Sequence, residues 1–319
     1  MPQHAAAPAA PAAPLPLDGS STPLGSAAAR RLLAPTADAR PLTLWGSSSM
    51  SSEGGADSTP RAVRIHEQLA LAAAPAVVHA FGVGATRSAH TLLMRGLDTP
   101  RLRRRGEPDP ATGQVAVDLE PALSPAGPLR IPGEVDGVAG VLDGSTGAWF
   151  FTPDGEQAPA DGGTFRSSLA AVAADSRQVL WMGKNNILDV DAVLADTQRM
   201  WEATTDPDHD TLVLGQWATP FDPVGSATAE AVAAVNAEQA RRYGDRFLDL
   251  GGLLTSEEGL SCPPLTPLRL LEQATTETAL AQQIVPDALR SPDDIHLNGW
   301  GNLAVSWAII QRMQELGWL

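Results

Sequence analysis

The stretch Pro41-Leu42-Thr43-Leu44-Trp45 runs directly into Gly46-Ser47-Ser48-Ser49-Met50. The first five residues are mostly apolar and predict a short buried strand, while the small residues that follow predict a tight turn. Such a turn would leave a hydroxyl exposed at the carboxyl end of the strand. Because ligands of open α/β sheets bind at that end of the strands, this turn is a candidate functional site.

Helix and strand patterns alternate along the chain after this turn. Arg61–Ala74 has apolar positions at helical spacing, Ala76–Phe81 predicts a second strand, and Ser88–Arg95 predicts the next helix. The alternation resumes later, with strands expected at 178–182, 210–215 and 247–250, and helices at 189–204, 228–243, 268–284 and 300–319. This order favours a three-layer α/β/α sandwich around a mostly parallel, flavodoxin-like sheet of five strands.

The pattern changes between residues 97 and 165. Short alternating pieces at 114–119, 129–131, 135–142 and 148–152 are separated by Gly, Pro and Asp turns, which predicts a small inserted antiparallel β lobe. The basic run Arg101–Arg105 is interpreted as a solvated edge. Trp149, Phe150 and Phe151 could stack on a sugar, but we expect at least two of them to form the core of the lobe.

A second candidate functional stretch is Asp293-Asp294-Ile295-His296-Leu297, just before the last predicted helix. The carboxylate of Asp293 precedes the imidazole of His296 by three residues, so both side chains can sit in one turn. A neutral imidazole is a useful proton acceptor near neutral pH, and a carboxylate on its other nitrogen fixes the tautomer. This spacing predicts a base and the group that orients it.

Two glycine-containing turns follow predicted strands. The Gly82-Val83-Gly84 turn could bind a dinucleotide, but Arg87 occupies the position of the expected third glycine, so the nucleotide interpretation is disfavoured. Gly183-Lys184-Asn185-Asn186 could present an amide N–H₂ group at a strand end, or could serve only as a turn and helix cap. We assign the capping role to Asn186.

Taken together, these segments resemble the four sequence blocks of the SGNH (GDSL-type) hydrolases. Gly46-Ser47-Ser48, Gly82, Gly183-Lys184-Asn185 and Asp293-x-x-His296 occur in the family's order, over residues 41–96 and 166–319. The resemblance implies a serine esterase with Ser48 as nucleophile, His296 as base and Asp293 as its partner. It also implies an oxyanion hole made of the Ser48 and Gly82 N–H groups and the Asn185 amide, with no cofactor or metal.

The chain departs from the family pattern in two places. Ser47 stands where the family has aspartate, which leaves Ser47 and Ser49 open as alternative nucleophiles, although the register selects Ser48. The asparagine often found before the second glycine block is also missing, and His79, Ala80 and Phe81 stand there instead.

The expected reaction is ester hydrolysis through an acyl-enzyme, with activity falling in acid because the base must be a neutral imidazole. Short acyl groups, such as acetyl on a carbohydrate or small molecule, are the expected substrates. An acyltransferase using the same serine, and a non-catalytic binding module on the same scaffold, remain the alternatives.

Composition limits the partners. The 319 residues include 22 basic and 37 acidic side chains, for a formal net charge of −15, which disfavours nucleic acid and anionic membrane surfaces and suits neutral or cationic substrates. Cys262 is the single cysteine, expected to be a structural thiol, and excludes an internal disulfide. The histidines form no His-x-x-x-His pair, so a metal enzyme is disfavoured.

Residues 1–40 are rich in Ala and Pro and predict a flexible arm, with a possible short helix around Ala27–Leu33. No basic segment followed by a long apolar run is present, so no intact signal peptide is predicted. Two compartments are alternatives, the cytoplasm and secretion after removal of a signal peptide. The oligomeric state also stays open.

Overall fold

The computed structural model describes residues 40–54, 63–155, 157, 159 and 161–319. The predictions for the N-terminal arm, including its short helix, therefore lie outside the described residues except at Arg40. The chain is an α/β protein that combines a parallel sheet, helices and a closed antiparallel barrel.

The parallel sheet has five strands in the order β11-β10-β9-β1-β2. Its strands are β1 (Leu42–Gly46), β2 (Val78–Gly82), β9 (Arg177–Trp181), β10 (Thr211–Leu214) and β11 (Phe247–Leu248). In the register, Gly46 at the end of β1 lies opposite Gly82 on one side and Trp181 on the other. The loops that follow β1, β2 and β9 therefore emerge next to one another at the carboxyl edge.

Helices cover the parallel sheet. They are α1 (Ile65–Ala73), α2 (Ser88–Arg95), α3 (Leu169–Ala173), α4 (Val190–Glu202), α5 (Pro207–Asp210), α6 (Ala227–Tyr243), α7 (Leu250–Thr255), α8 (Glu257–Leu260), α9 (Ala274–Ala281) and α10 (Gly299–Glu315). Side chains of β1 alternate between two buried clusters, since Leu44 packs with residues of α1 and α10, and Trp45 packs with residues of α2 and the barrel. None of the described helices is both long enough and apolar enough to cross a bilayer.

The inserted segment forms a closed barrel with the strand order β3-β4-β7-β6-β5-β8. These strands are β3 (Arg101–Arg104), β4 (Val115–Glu120), β5 (Arg130–Val135), β6 (Val138–Asp143), β7 (Trp149–Pro153) and β8 (Gly163–Ser167). Trp149 and Phe151 are buried and Phe150 is partly exposed, which confirms that two of the three aromatic residues belong to the core of the lobe. The basic run is more than a solvated edge, because its first four residues are β3, which closes the barrel against β8.

The helix expected at 268–284 is shorter than predicted. Separate 3₁₀ turns at Thr266–Leu268 and Leu270–Glu272 precede α9 at Ala274–Ala281. Arg269, between the two turns, has a φ of 50°, a left-handed conformation that an α-helix cannot contain.

Candidate functional site

The serine turn is a compact coil that follows β1 directly. The N–H of Ser51 donates to Ser47 O at 3.2 Å, and the N–H of Glu53 donates to Ser48 O at 3.0 Å. Ser47 and Ser48 are largely buried, and Ser49 is partly exposed. Within the described part of the chain, the N–H of Ser48 has no acceptor.

The histidine turn holds His296 through a dense set of hydrogen bonds to Asp293. His296 Nδ1 lies 2.6 Å from Asp293 Oδ2, while Asp293 Oδ1 accepts from the N–H groups of Ile295 and His296, each at 2.9 Å. The hydroxyl of Ser291 donates to the same oxygen at 2.5 Å. Because ionised Asp293 only accepts, the proton between the pair belongs on Nδ1, and Nε2 is left as the acceptor.

These contacts also set the charge of Asp293. Partial burial alone would raise the pKa of this carboxyl, but the hydrogen bonds from the side chain and backbone of His296, and from Ser291 and Ile295, lower it well below the ordinary aspartate range. Asp293 is therefore an anion across the neutral and mildly acidic range.

The serine turn and the histidine turn pack against each other at Gly54. A Cβ atom built on Gly54 would lie 2.7 Å from His296 Cβ and 2.8 Å from Ser291 Oγ, and the φ of Gly54 is +85°. Only glycine fits both the space and the backbone conformation. Ser48 Oγ and His296 Nε2 make no direct hydrogen bond in the described structure.

Gly82 and Gly84 line the other side of the serine turn. A Cβ on Gly82 would lie 2.5 Å from Ser51 N, so glycine permits this close approach. The N–H of Val83 donates to Gly46 O at 3.2 Å, and because ladder bonds alternate along a strand, the N–H of Gly82 faces away from β1. Gly84 lies two residues after Gly82. Its N–H, like that of Ser48, has no acceptor within the described residues, so both are candidate hydrogen-bond donors to a ligand.

Asn185 follows Gly183, whose φ of +95° turns the chain sharply after β9. Its side-chain amide donates to Thr86 O at 2.9 Å, which links it to the loop after β2. That bond uses one N–H of the amide, the other has no acceptor among the residues that the structure describes, and the side chain is exposed. The structure thus brings Asn185 next to the loop that carries Gly84.

Asn186 caps a helix, although not the one that follows it in sequence. Its Oδ1 accepts from the N–H of Ser88 at 3.1 Å, at the start of α2, and its Nδ2 donates to Ser88 Oγ at 3.0 Å. The next helix, α4, is capped by Asp189 instead, which accepts from the N–H of Ala192. Asn186 therefore fixes the loop after β2 against the turn after β9.

The barrel borders the same loop. Gly127, between β4 and β5, packs against the carbonyl of Gly84 so closely that no side chain would fit there. Ser124 O accepts from His90 Nε2 at 2.8 Å, and His90 Nδ1 accepts from the N–H of Arg87 at 3.1 Å. Burial lowers the pKa of His90, which keeps this bridging imidazole neutral.

Sequence patterns did not single out Glu53, Gly54 or Ser291 as site residues, although glycine at position 54 was an available signal, and they indicated Gly84 only as part of a disfavoured dinucleotide-binding turn. Within the described ranges, no three His, Cys, Asp or Glu side chains are grouped closely enough to hold a metal ion.

Comparison with protein-family models gives no match, and comparisons with curated proteins and with solved structures give none.

Proposed function

We propose that this chain is a serine esterase of the SGNH type, on a three-layer, flavodoxin-like α/β/α scaffold. The observation that carries the proposal is the contact at Gly54 between the Ser48 turn and the Asp293–His296 turn, at the carboxyl edge of β1. Nucleophile, base and orienting carboxylate are the minimal set for acyl transfer by a serine.

The proposed reaction begins when Ser48 Oγ bonds to the ester carbonyl carbon and its proton passes to His296 Nε2. The bond from that carbon to the leaving oxygen then breaks, and His296 gives the proton to the departing alcohol. Water adds to the acyl-enzyme in the same way, His296 accepting and then returning a proton, and the carboxylic acid leaves as Ser48 recovers its hydroxyl.

The negative oxygen formed during both additions needs hydrogen-bond donors. The N–H of Ser48 and the free amide N–H of Asn185 support this role, together with a backbone N–H from the loop of Gly82 and Gly84. The proposed substrates are esters of short acyl groups, such as acetyl, on a neutral or cationic small molecule or carbohydrate.

The test is hydrolysis of p-nitrophenyl acetate, butyrate and octanoate by the wild type and Ser48→Ala, with Ser47→Ala and Ser49→Ala as matched controls. We expect the wild type to favour acetate, and Ser48→Ala to lower kcat/KM by about 10³-fold or more. The two control variants should retain most of the activity. Equal turnover by Ser48→Ala and the wild type would refute the assignment, and loss in Ser47→Ala instead would move the nucleophile.

A further inference from the structure

Glu53 lies in the serine turn, five residues after Ser48, and its carboxylate lies against Gly84, one of the proposed oxyanion donors. The single hydroxyl proton of Ser51 is shared between Ser48 O, at 2.9 Å from Ser51 Oγ, and Glu53 Oε1, at 3.2 Å. A Cβ built on Gly84 would lie 2.9 Å from Glu53 Oε2 and closer still to Oε1, so the carboxylate rests directly on the Gly84 backbone. The position of this charge is fixed by the same turn that positions the nucleophile.

The charge of Glu53 has no counter-ion in the described part of the chain. None of the ion pairs among the described residues includes Glu53, and Lys184 and Arg290 each pair with another carboxylate. Glu53 is exposed, so a solute can reach it. An accessible carboxylate without a partner next to a reaction centre attracts cations and repels anions.

This placement has a cost for catalysis on neutral substrates. A negative charge beside the oxyanion donors disfavours the negative oxygen of the transition state. A positive group on the substrate would neutralise Glu53 and remove that repulsion, and would gain an attraction of its own. The charge therefore helps only if the substrate carries a cation close to the ester.

We propose that Glu53 is a specificity-determining residue that binds a cationic group, such as a substituted ammonium, on the ester substrate. The inference rests on the proposed esterase function and narrows its substrate class. The net charge of −15 favours cationic over anionic substrates, and the proposal assigns part of this preference to one residue in the site.

The test compares two thioesters of the same shape, acetylthiocholine and 3,3-dimethylbutyl thioacetate, in which a carbon replaces the charged nitrogen. Thiol release is measured for the wild type and Glu53→Gln, which keeps the size of the side chain and an acceptor for Ser51. The matched control is Glu67→Gln. Glu67 is an exposed glutamate on α1 that pairs with Arg64. Hydrolysis of p-nitrophenyl acetate is followed in parallel.

We expect the wild type to prefer the cationic thioester by about threefold to tenfold in kcat/KM at low ionic strength, with the preference shrinking as salt is added. Glu53→Gln should abolish the preference by slowing the cationic and accelerating the neutral thioester, while Glu67→Gln should match the wild type. If p-nitrophenyl acetate is hydrolysed but the wild type shows no preference, or Glu53→Gln keeps it, the inference is wrong and the esterase stands. No hydrolysis of p-nitrophenyl acetate would overturn the proposed function itself.

Discussion

The carboxyl edge of the parallel sheet and the closed barrel are built on opposite principles. In the barrel, pairing of β3 with β8 leaves no open edge, and large side chains such as Phe151 and Phe165 fill the interior. At the sheet edge, the described residues include the N–H of Ser48 without an acceptor and the carboxylate of Glu53 without a cation. Unsatisfied groups are ready to bind, whereas satisfied groups hold a structure together. Substitutions at the sheet edge should therefore change kcat, whereas substitutions in the barrel should change stability.

The largest expected effect is that of Asp293→Asn at the sheet edge. The asparagine can still accept backbone N–H groups through its oxygen, but its amide would face His296 Nδ1 as a donor and favour the wrong tautomer. We expect kcat for p-nitrophenyl acetate to fall by about 10³ to 10⁴-fold.

Asp294→Asn is the matched control for that variant, because Asp294 pairs with Arg290 and not with His296. It should keep kcat within about threefold of the wild type, because the half-exposed Asp294 lies outside the Asp293–His296 hydrogen bond. If both variants lose activity equally, the turn as a whole matters and the specific Asp293–His296 pairing is refuted.

The barrel should respond to Phe151→Ala in stability and not in chemistry. Phe151 is fully buried and stacks edge-on against Phe165, with ring centroids 6.5 Å apart. Removing it should lower the free energy of unfolding by about 3 to 5 kcal/mol, because a cavity replaces the ring. Chemical denaturation measures the loss, and kcat at a temperature where the variant is folded should stay close to that of the wild type.

Phe150→Ala on the same strand is the control, since Phe150 is partly exposed. Its cost should be about 1 kcal/mol. A large fall of kcat in folded Phe151→Ala would show that the barrel does more than support the site. The expected separation between effects on stability in the barrel and effects on kcat at the sheet edge would then be wrong.

Asn185→Ala tests the carboxyl edge of the parallel sheet, and its expected effect on kcat is smaller than that of Asp293→Asn. If its free N–H receives the oxyanion, kcat should fall by about 10² to 10³-fold with little change in KM. Asn186→Ala should instead lower the melting temperature, because Asn186 makes two hydrogen bonds to Ser88. The reverse pattern, with kcat lost in Asn186→Ala and kept in Asn185→Ala, would exchange the two assignments.

Features that depend on neighbours in sequence were predictable. Asp293 and His296 are three residues apart, so their pairing could be expected from spacing, and the hydrogen bond at 2.6 Å has the geometry that the spacing suggests. The buried strand at 42–46 and the helix at Ser88–Arg95 follow equally from local apolar patterns.

Features that depend on distant pairs were not predictable. Arg101 pairs with Thr164 to close the barrel, and a strand rich in arginine carries no apolar alternation that would reveal it. Asn186 was expected to cap a helix on a local turn signal, but the following helix is capped by Asp189, and the N–H that Asn186 accepts from belongs to Ser88, 98 residues earlier in the chain. The approach of Glu53 to Gly84 is likewise a tertiary contact, which no spacing rule encodes.

The smallest expected effect is the contribution of Asp293 to stability as a function of pH. Its pKa is lowered in the folded protein from an ordinary value of 3.8, so folding favours the ionised form. The stabilisation is therefore present above about pH 4 and is lost as the pH falls toward the lowered folded value. Because Asp293 is 43% exposed, solvent screening limits it to about 1 kcal/mol or less. The difference in melting temperature between wild type and Asp293→Asn should shrink as the pH falls below about pH 4. A difference that grows below about pH 4 would mean that Asp293 is destabilised as an anion, and the charge proposed for the partner of His296 would be wrong.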